Sequence, residues 1–540
     1  MNAALILPIA LRGHAQSTPD ALAILEPGRT WSFAALGAHA DAMAASLVAA
    51  GVRPGDRVVL LAAPSATAIA LLAAAGRVGA CVAPLGTMLT APELAAATVE
   101  IRPRLVVHDG EHATVAGALG VPSVRLEALA TGATDAATVA ADAVAPATRL
   151  DPNAPTVAVL TSGTTGRPKA ALLSHVSMAA SAGAWSAALP QAAGWLLCLG
   201  LAHVAGLGVV WRAIGAGVPL RVVPAFDAET VLDALRRGPA SHVSLVPTQL
   251  VRLLDASDAS GETRAAAGGV RAATGGVQAA GRDPGDTGHP APAQPELRAV
   301  LLGGAPIPPG LVTRALAAGW PVVPTYGLTE AGSGVTALAT VDAAARPGSA
   351  GRPLPGVQLR IAEPTVDGTG EIQVRTPAAF SGYLGRPEAT AAAFDPDGWL
   401  RTGDVGRLDA DGFLHVLDRR DDLLVSGGES VFPAEVEATI VEHPAIAEAG
   451  VVGRPDPTWG AVPVAAVVLR PGALAPTSAE LRAFCLARLA PYKVPVGFFV
   501  VVALPRTAPG KLRRAELRAA LAGAPPADWT SRAAGIEVLA

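Results

Sequence analysis

Lysine is nearly absent from this chain. Among 540 residues there are only three, Lys169, Lys493 and Lys511, while arginine is plentiful. Each lysine sits in a patterned segment: Thr161-Ser162-Gly163-Thr164-Thr165-Gly166-Arg167-Pro168-Lys169, Ala490-Pro491-Tyr492-Lys493-Val494-Pro495, and Pro505-Arg506-Thr507-Ala508-Pro509-Gly510-Lys511. Arginine stands wherever a planar fork serves, so the surviving lysines mark positions that need a compact, strongly hydrated ammonium. Reaching one phosphate oxygen or one reacting carboxylate is such a job. Cysteine is equally scarce. Cys81, Cys198 and Cys485 are odd in number, far apart and set in apolar stretches. They argue for buried thiols in a reducing cytoplasm rather than disulfides or a metal site. The net charge of −4 offers nothing to a nucleic acid. No apolar run of about 18 residues lacks polar breaks, so no membrane span is expected. The best candidate, Leu60 to Leu85, is interrupted by Pro64, Ser65 and Arg77 and reads as a helix followed by a buried strand. The N-terminal stretch has apolar residues but no basic leader and no small-residue cleavage site; an amphipathic helix is expected there.

What is present is a long, alanine-rich chain, 51% hydrophobic, too long for one core, so about two to four domains are expected. Its first three-quarters alternate short apolar runs with helical stretches. Strands are expected at Arg57–Leu61, Ala80–Ala83, Thr156–Leu160, Ser241–Val246, Leu297–Leu302 and Pro321–Pro324, with helices at Thr248–Asp255 and Pro309–Ala318. That alternation predicts parallel α/β layers. Ala256 to Gln294 is rich in Ala, Gly, Asp and Thr without apolar period, and reads as a disordered or surface insertion. After about Ala362 the pattern turns to short β-like pieces. A new unit begins near Asp421, with a helix at Pro433–Val441, strands at Ala449–Val452 and Val464–Leu469, and a helix at Ser478–Leu489. The expected division is residues 1–420 and 421–540; the tail from Gly523 carries no usable motif.

The loop Thr161–Lys169 carries the strongest chemical signal. Its glycines let the backbone approach a ligand, its hydroxyls and N–H groups can face it, and a lysine closes it: a polyphosphate cradle. The spacing is not that of a Walker A loop. A generic Ser/Thr/Gly run is usually only a polar loop, but the full string resembles the phosphate loop of the adenylate-forming superfamily, which includes acyl-CoA synthetases, amino-acid adenylation domains and luciferases. The resemblance runs over nearly the whole chain. Tyr326-Gly327-Leu328-Thr329-Glu330 resembles the segment whose tyrosine packs on adenine; it implies that Thr329 contacts the α-phosphate and Glu330 holds Mg²⁺. A carboxylate beside a polyphosphate makes sense with a hard cation between them. Gly303-Gly304-Ala305-Pro306 resembles the turn lining the adenine, at the carboxyl end of a strand where open α/β sheets bind ligands. Trp399-Leu400-Arg401-Thr402-Gly403-Asp404 is similar to the ribose motif, with Asp404 accepting from both hydroxyls. By the same resemblance Arg419 contacts ribose and phosphate, and Asp421 is the hinge of a small mobile domain. Gly427, Gly428 and Glu429 form the coenzyme A channel, and Lys511 bridges the substrate carboxylate and the α-phosphate, where a positive charge offsets the repulsion of two anions. Lys493 has no role beyond a surface or CoA-phosphate contact in this reading. The implied fold is a large α/β domain with parallel sheets and a β-rich subdomain, followed by a small α+β domain.

The acyl pocket is expected after the phosphate loop. His203 corresponds to the family's gate histidine, although Gly200 and Ala202 stand where a proline and an aromatic are usual. A lone histidine in an apolar stretch is more often a core residue; its motif context favours a pocket role. Arg212 interrupts an apolar helix-like run. It is either a helix-edge arginine or a buried fork onto a second substrate carboxylate. With Ser244 and several flanking segments, it resembles the branch of o-succinylbenzoate–CoA ligases in menaquinone biosynthesis. Ala170 and Ser430 depart from the usual glycine and asparagine. The resemblance implies ATP, Mg²⁺ and coenzyme A as cofactor and co-substrates, an acyl-adenylate intermediate, a cytoplasmic enzyme and small-molecule partners. A homodimer is allowed by this reading and required by nothing in it. The alternatives are a ligase for another acyl or aryl acid, a domain loading a carrier protein, and a non-catalytic homologue.

Overall fold

The structure, a computed structural model, describes residues 5–131, 150–162, 168–259, 297–305, 307, 309–366, 368–418, 424–505, 512, 514–522 and 536–538. The phosphate-loop residues Gly163, Thr164, Thr165 and Gly166, together with Pro306, Arg419, Asp421 and Lys511, lie outside the described residues, as does most of the expected insertion.

Two parallel-cored sheets dominate the first part. One has nine strands. At its centre Val322–Tyr326, Ala299–Leu302, His242–Leu245, Trp195–Leu197, Leu220–Val222 and Leu22–Glu26 run side by side and parallel. Antiparallel strands close it at both edges. The second sheet has seven strands built around parallel Arg57–Leu61, Cys81–Pro84 and Leu105–His108. Strands buried on both faces read as continuous apolar runs, and these do. A four-stranded antiparallel sheet, Gln358–Ala362 to Leu414–Asp418, follows. The last sheet, of six strands, lies wholly within residues 424–538.

The helices form for local reasons. Ala66–Val78 starts at Ser65, whose side chain accepts from the Ala68 amide, and stops at Gly79, whose φ of 81° is left-handed. It is buried almost all round because it is apolar all round. The amphipathic first helix is Leu7–Ser17, as the sequence leads one to expect. Several boundaries differ: the strand expected at Ala449–Val452 runs Ile446–Asp456, and the helix expected at Ser478–Leu489 ends at Leu486. The helix expected at 248–255 runs Pro247–Ala259, so the insertion begins later than its composition suggests. Within the tail from Gly523, which carries no usable motif, Ile536–Val538 pairs with Phe498–Val501. The apolar cores divide cleanly. Three clusters draw only on residues between 7 and 416, and two only on residues between 424 and 521. No helix among the described residues is long and apolar enough to cross a membrane.

Candidate active site

Four neighbouring parallel strands of the large sheet end on the same side. Beyond Trp195–Leu197 lies the His203 segment; beyond His242–Leu245 lies Val246; beyond Ala299–Leu302 come Gly303 and Gly304; Tyr326 ends its own strand. The carboxyl ends of parallel strands are where such sheets bind ligands. A pocket of about 190 Å³ opens there, lined by Gly304, Ala305, Tyr326 and Gly327 among others. The glycines are enforced: a Cβ on Gly303 would strike Thr325 Oγ1, and one on Gly327 would strike the Ser333 carbonyl.

Tyr326 and Asp404, far apart in sequence, meet beside this pocket. The Tyr326 hydroxyl donates to Asp404 Oδ2 at 2.6 Å, and both residues are buried. Asp404 is further fixed because its backbone N–H donates to Thr402 Oγ1 at 3.0 Å. Thr329 and Glu330 occupy a short turn after the strand. Glu330 Oε1 accepts from the Tyr383 hydroxyl at 2.7 Å, and the Lys169 ammonium sits 5.2 Å from the centre of the Tyr383 ring. Among the described residues no basic side chain pairs with Glu330, which leaves carboxylate valence for a hard cation. Lys169 is paired with Thr161, across an antiparallel hairpin whose connection is the expected phosphate loop.

The residues expected on the acyl side gather around the helix Val204–Ala216. Its N-cap position is His203, and Arg212 is the one charge in an otherwise apolar, largely buried helix. Arg212 is 3% exposed. Its Nη2 donates to Ser244 Oγ at 3.2 Å, and its guanidinium lies 4.6 Å from the Trp195 ring centre and 5.6 Å from that of Trp185. Among the described residues no carboxylate pairs with it, and its Nε has no acceptor. Burial alone pushes its pKa down to about 9. A buried cation without a counter-ion is costly, so an anion brought beside this guanidinium would be strongly favoured. Ser333, held at φ 85°, turns a partnerless Oγ toward the same spot: Ser333 Oγ and Arg212 Nη1 both lie within 3.5 Å of where a Gly208 Cβ would be.

Across the cleft stands the hairpin Leu424–Ser426 and Glu429–Val431, turned by Gly427 and Gly428 with φ of 61° and 92°. A two-residue loop with both φ positive requires such glycines. A Cβ on Gly428 would sit 2.7 Å from Val246 Cγ2, two residues beyond Ser244 in the chain. Glu429 Oε2 lies 3.2 Å from His203 Nε2. Burial lowers the histidine's pKa, but the hydrogen bond and charge of Glu429 outweigh it and the net shift is upward.

Residues 11–384 match the AMP-binding enzyme family, and residues 435–511 match the AMP-binding enzyme C-terminal domain. The chain belongs to the AMP-binding enzyme family. Among similar family members is the 2-succinylbenzoate–CoA ligase of Geobacillus kaustophilus, 37% identical over 521 residues, covering 95% of this chain and 97% of that protein. The Bacillus subtilis 2-succinylbenzoate–CoA ligase is 32% identical, with 96% and 98% covered. Among solved structures, a double mutant of the B. subtilis o-succinylbenzoate CoA synthetase bound with its product analogue superposes with a TM-score of 0.81, at 32% identity, covering 94% of this chain and 98% of that one. The same enzyme with its acyl-adenylate intermediate gives 0.66 at 31% identity, with 96% and 99% covered.

Within this AMP-binding enzyme, the structure gathers Thr329, Glu330, Tyr326, Gly327, Gly303, Gly304, Ala305 and Asp404 around one cleft, and His203, Arg212 and Ser244 with Gly427, Gly428 and Glu429 beside it. Tyr383, Trp185, Trp195 and Ser333 were not singled out by sequence. Only the positive φ of a non-glycine residue distinguishes Ser333, and that is invisible in sequence. Lys493 needs correction: it is no surface residue but 6% exposed, its charge met by Glu93 and Glu435. The cysteines are free and buried, with thiol pKa values pushed by burial up to about 12, 12 and 11.

Proposed function

We propose that this chain is an ATP-dependent acid–thiol ligase that converts o-succinylbenzoate and coenzyme A to o-succinylbenzoyl-CoA, AMP and diphosphate, as a step of menaquinone biosynthesis. The observation that carries the substrate assignment is Arg212, a buried guanidinium with no carboxylate partner among the described residues, flanked by two indoles and the Ser244 hydroxyl. An aromatic dicarboxylate supplies what is missing: a ring for the indoles and an anion for the fork. The names of the similar ligases support the same reading.

In the first half-reaction a substrate carboxylate oxygen attacks the α-phosphorus of ATP and diphosphate leaves. Asp404, oriented by Tyr326, holds the ribose; Gly303, Gly304 and Ala305 flank the adenine; Thr161, Ser162 and Lys169, with Gly163 to Gly166, receive the phosphates. Glu330 and Thr329 would hold Mg²⁺ and the α-phosphate, and the bound cation supplies charge neutralisation on the phosphate oxygens. Lys511 and Arg419 are proposed to join them, with Lys511 screening the approach of two anions. In the second half-reaction the CoA thiolate attacks the acyl carbon and AMP leaves. The division into residues 1–420 and 421–540, with Asp421 as hinge, allows one cleft to serve both steps and keeps water from the mixed anhydride. The higher TM-score with the product-analogue complex supports reading the present arrangement as that of the second step. Here Glu429 engages His203, and the Gly427–Gly428 turn reaches the acyl pocket as a channel wall. The three unpaired thiols fit a cytoplasmic location.

The test is diphosphate release from ATP and Mg²⁺ across o-succinylbenzoate, benzoate, a medium-chain fatty acid and several amino acids, with and without CoA. A CoA-stimulated signal selective for o-succinylbenzoate supports the assignment. Turnover of a monocarboxylate alone keeps the ligase and overturns the substrate.

A further inference from the structure

Among the described residues the buried charges other than histidine are Arg212, Asp404 and Lys493. The first two face acyl substrate and ribose. The third faces neither substrate, yet its surroundings are as fully built. Lys493 Nζ lies 2.6 Å from Glu93 Oε1 and 2.8 Å from Glu435 Oε1. Glu435 belongs, like Lys493, to the C-terminal unit, on the helix Pro433–Val441. Glu93 comes from the other side of the molecule, in the first turn of the helix Ala91–Ile101. Its second oxygen accepts from the Ala490 backbone N–H at 3.0 Å, and the neighbouring Thr90 hydroxyl donates to the Arg488 carbonyl at 2.8 Å. The start of one helix is thus fastened to residues 488–493 by an ion pair and two hydrogen bonds, all crossing between the units.

The chemistry of the cluster suits repeated making and breaking. Were the units to separate, Glu93 would lose Lys493 and Ala490, but Lys493 would keep Glu435. No buried charge is stranded on the C-terminal side, which is the outcome that makes breaking a buried pair so costly. On the other side, Glu93 still accepts from the Thr90 backbone N–H at 2.8 Å and returns to water as an ordinary capping-box glutamate.

We propose that Glu93 and Lys493 form a releasable latch that holds the C-terminal unit in the arrangement for transfer to CoA, acting as positioning residues for that half-reaction. This rests on the reading of the arrangement given above. The latch and the contacts made by Glu429 and Gly428 cross the same boundary, so loosening one loosens the other.

The test uses the full chain carrying Glu93→Gln, which leaves the Lys493–Glu435 pair intact for folding. Three quantities are measured: first-turnover diphosphate release without CoA, single-turnover transfer after CoA is added to the preformed adenylate, and hydrogen–deuterium exchange without ligands. The expected result is adenylation within about twofold of the parent and transfer slowed roughly tenfold, the loss of a hydrogen bond to a charged group. Exchange should be faster in residues 90–94 and 488–493. Equal slowing of both half-reactions, unchanged transfer, or unchanged exchange in those segments overturns the latch. Failure of the parent chain to adenylate o-succinylbenzoate is a different result: it removes the proposed substrate, while the exchange measurement still decides whether Glu93 fastens the units.

Discussion

Arg212→Met should separate stability from selectivity, and the structure sets the sign of each. In the free enzyme the guanidinium is 3% exposed, touches one hydroxyl and two indole faces, and has no counter-ion among the described residues. Methionine fills a similar volume and removes the desolvated charge. What is lost is the cation–π attraction, about 0.5–2 kcal/mol, against an ion-burial cost of several kcal/mol. The variant's melting temperature should therefore be unchanged or higher. Substrate binding reverses the balance. A carboxylate delivered to a pocket without its cation is a buried, uncompensated charge, which costs about 3–5 kcal/mol. At 1.36 kcal/mol per decade, kcat/KM for o-succinylbenzoate should fall by roughly 10²–10³-fold or somewhat more. An analogue lacking the second carboxylate should lose little, so the preference between the two acids collapses. The assay is diphosphate release with each acid, paired with thermal unfolding. An equal loss on both acids, or a destabilised variant that keeps its preference, would refute the assignment of Arg212 to the substrate.

Three further outcomes follow from the same geometry. Tyr326→Phe removes the donor to buried Asp404 and should raise the KM for ATP about tenfold with little change in kcat, the value of a hydrogen bond to a charged group; an unchanged KM would mean that Asp404 needs no orienting. Gly428→Ala forces φ 92° on an L-residue, at about 1–2 kcal/mol, and pushes a methyl toward Val246; CoA transfer should slow by about tenfold while adenylation holds. The pH dependence of transfer should follow the His203–Glu429 pair. Burial raises the glutamate's pKa, but His203 outweighs it and the net shift is downward; the histidine's net shift is upward. Charged His203 stabilises the docked hairpin fully below its ordinary 6.5 and loses that contribution as pH rises through the raised value. Glu429 contributes above its ordinary 4.5 and loses it as pH falls through the lowered value. Transfer should therefore decline on the alkaline side, and His203→Gln should flatten that limb; an unaltered profile in the variant would place the titration elsewhere.

Local chemistry made much of this molecule readable in advance. The Ser65 cap and Gly79 stop bracket a helix that punctuation alone outlines, and the helix Pro433–Val441 begins and ends where its proline and apolar spacing say. Arg212 could be picked out because one guanidinium in an apolar helix contradicts its neighbours, and contradictions of that sort gather at functional sites. What surrounds it could not. Trp185, on the helix His175–Ala188, and Trp195, on a strand of the large sheet, reach the guanidinium from separate elements, and tertiary packing rather than sequence spacing brings them together. The burial of Lys493 is hidden from sequence for the same reason. Its own segment is short and polar enough for a surface turn, and the carboxylate that buries it is 400 residues away in the chain.

The enclosure of Cys81, Cys198 and Cys485 bears on what the enzyme does to itself. A mixed anhydride of an acid and AMP acylates thiols and amines without discrimination. Here the described thiols are sealed off and held protonated, and the amine of Lys493 is locked between carboxylates. The two other lysines, Lys169 and Lys511, both belong to the proposed phosphate site, so any lysine acylation by the intermediate is expected inside the cleft and not on the rest of the protein.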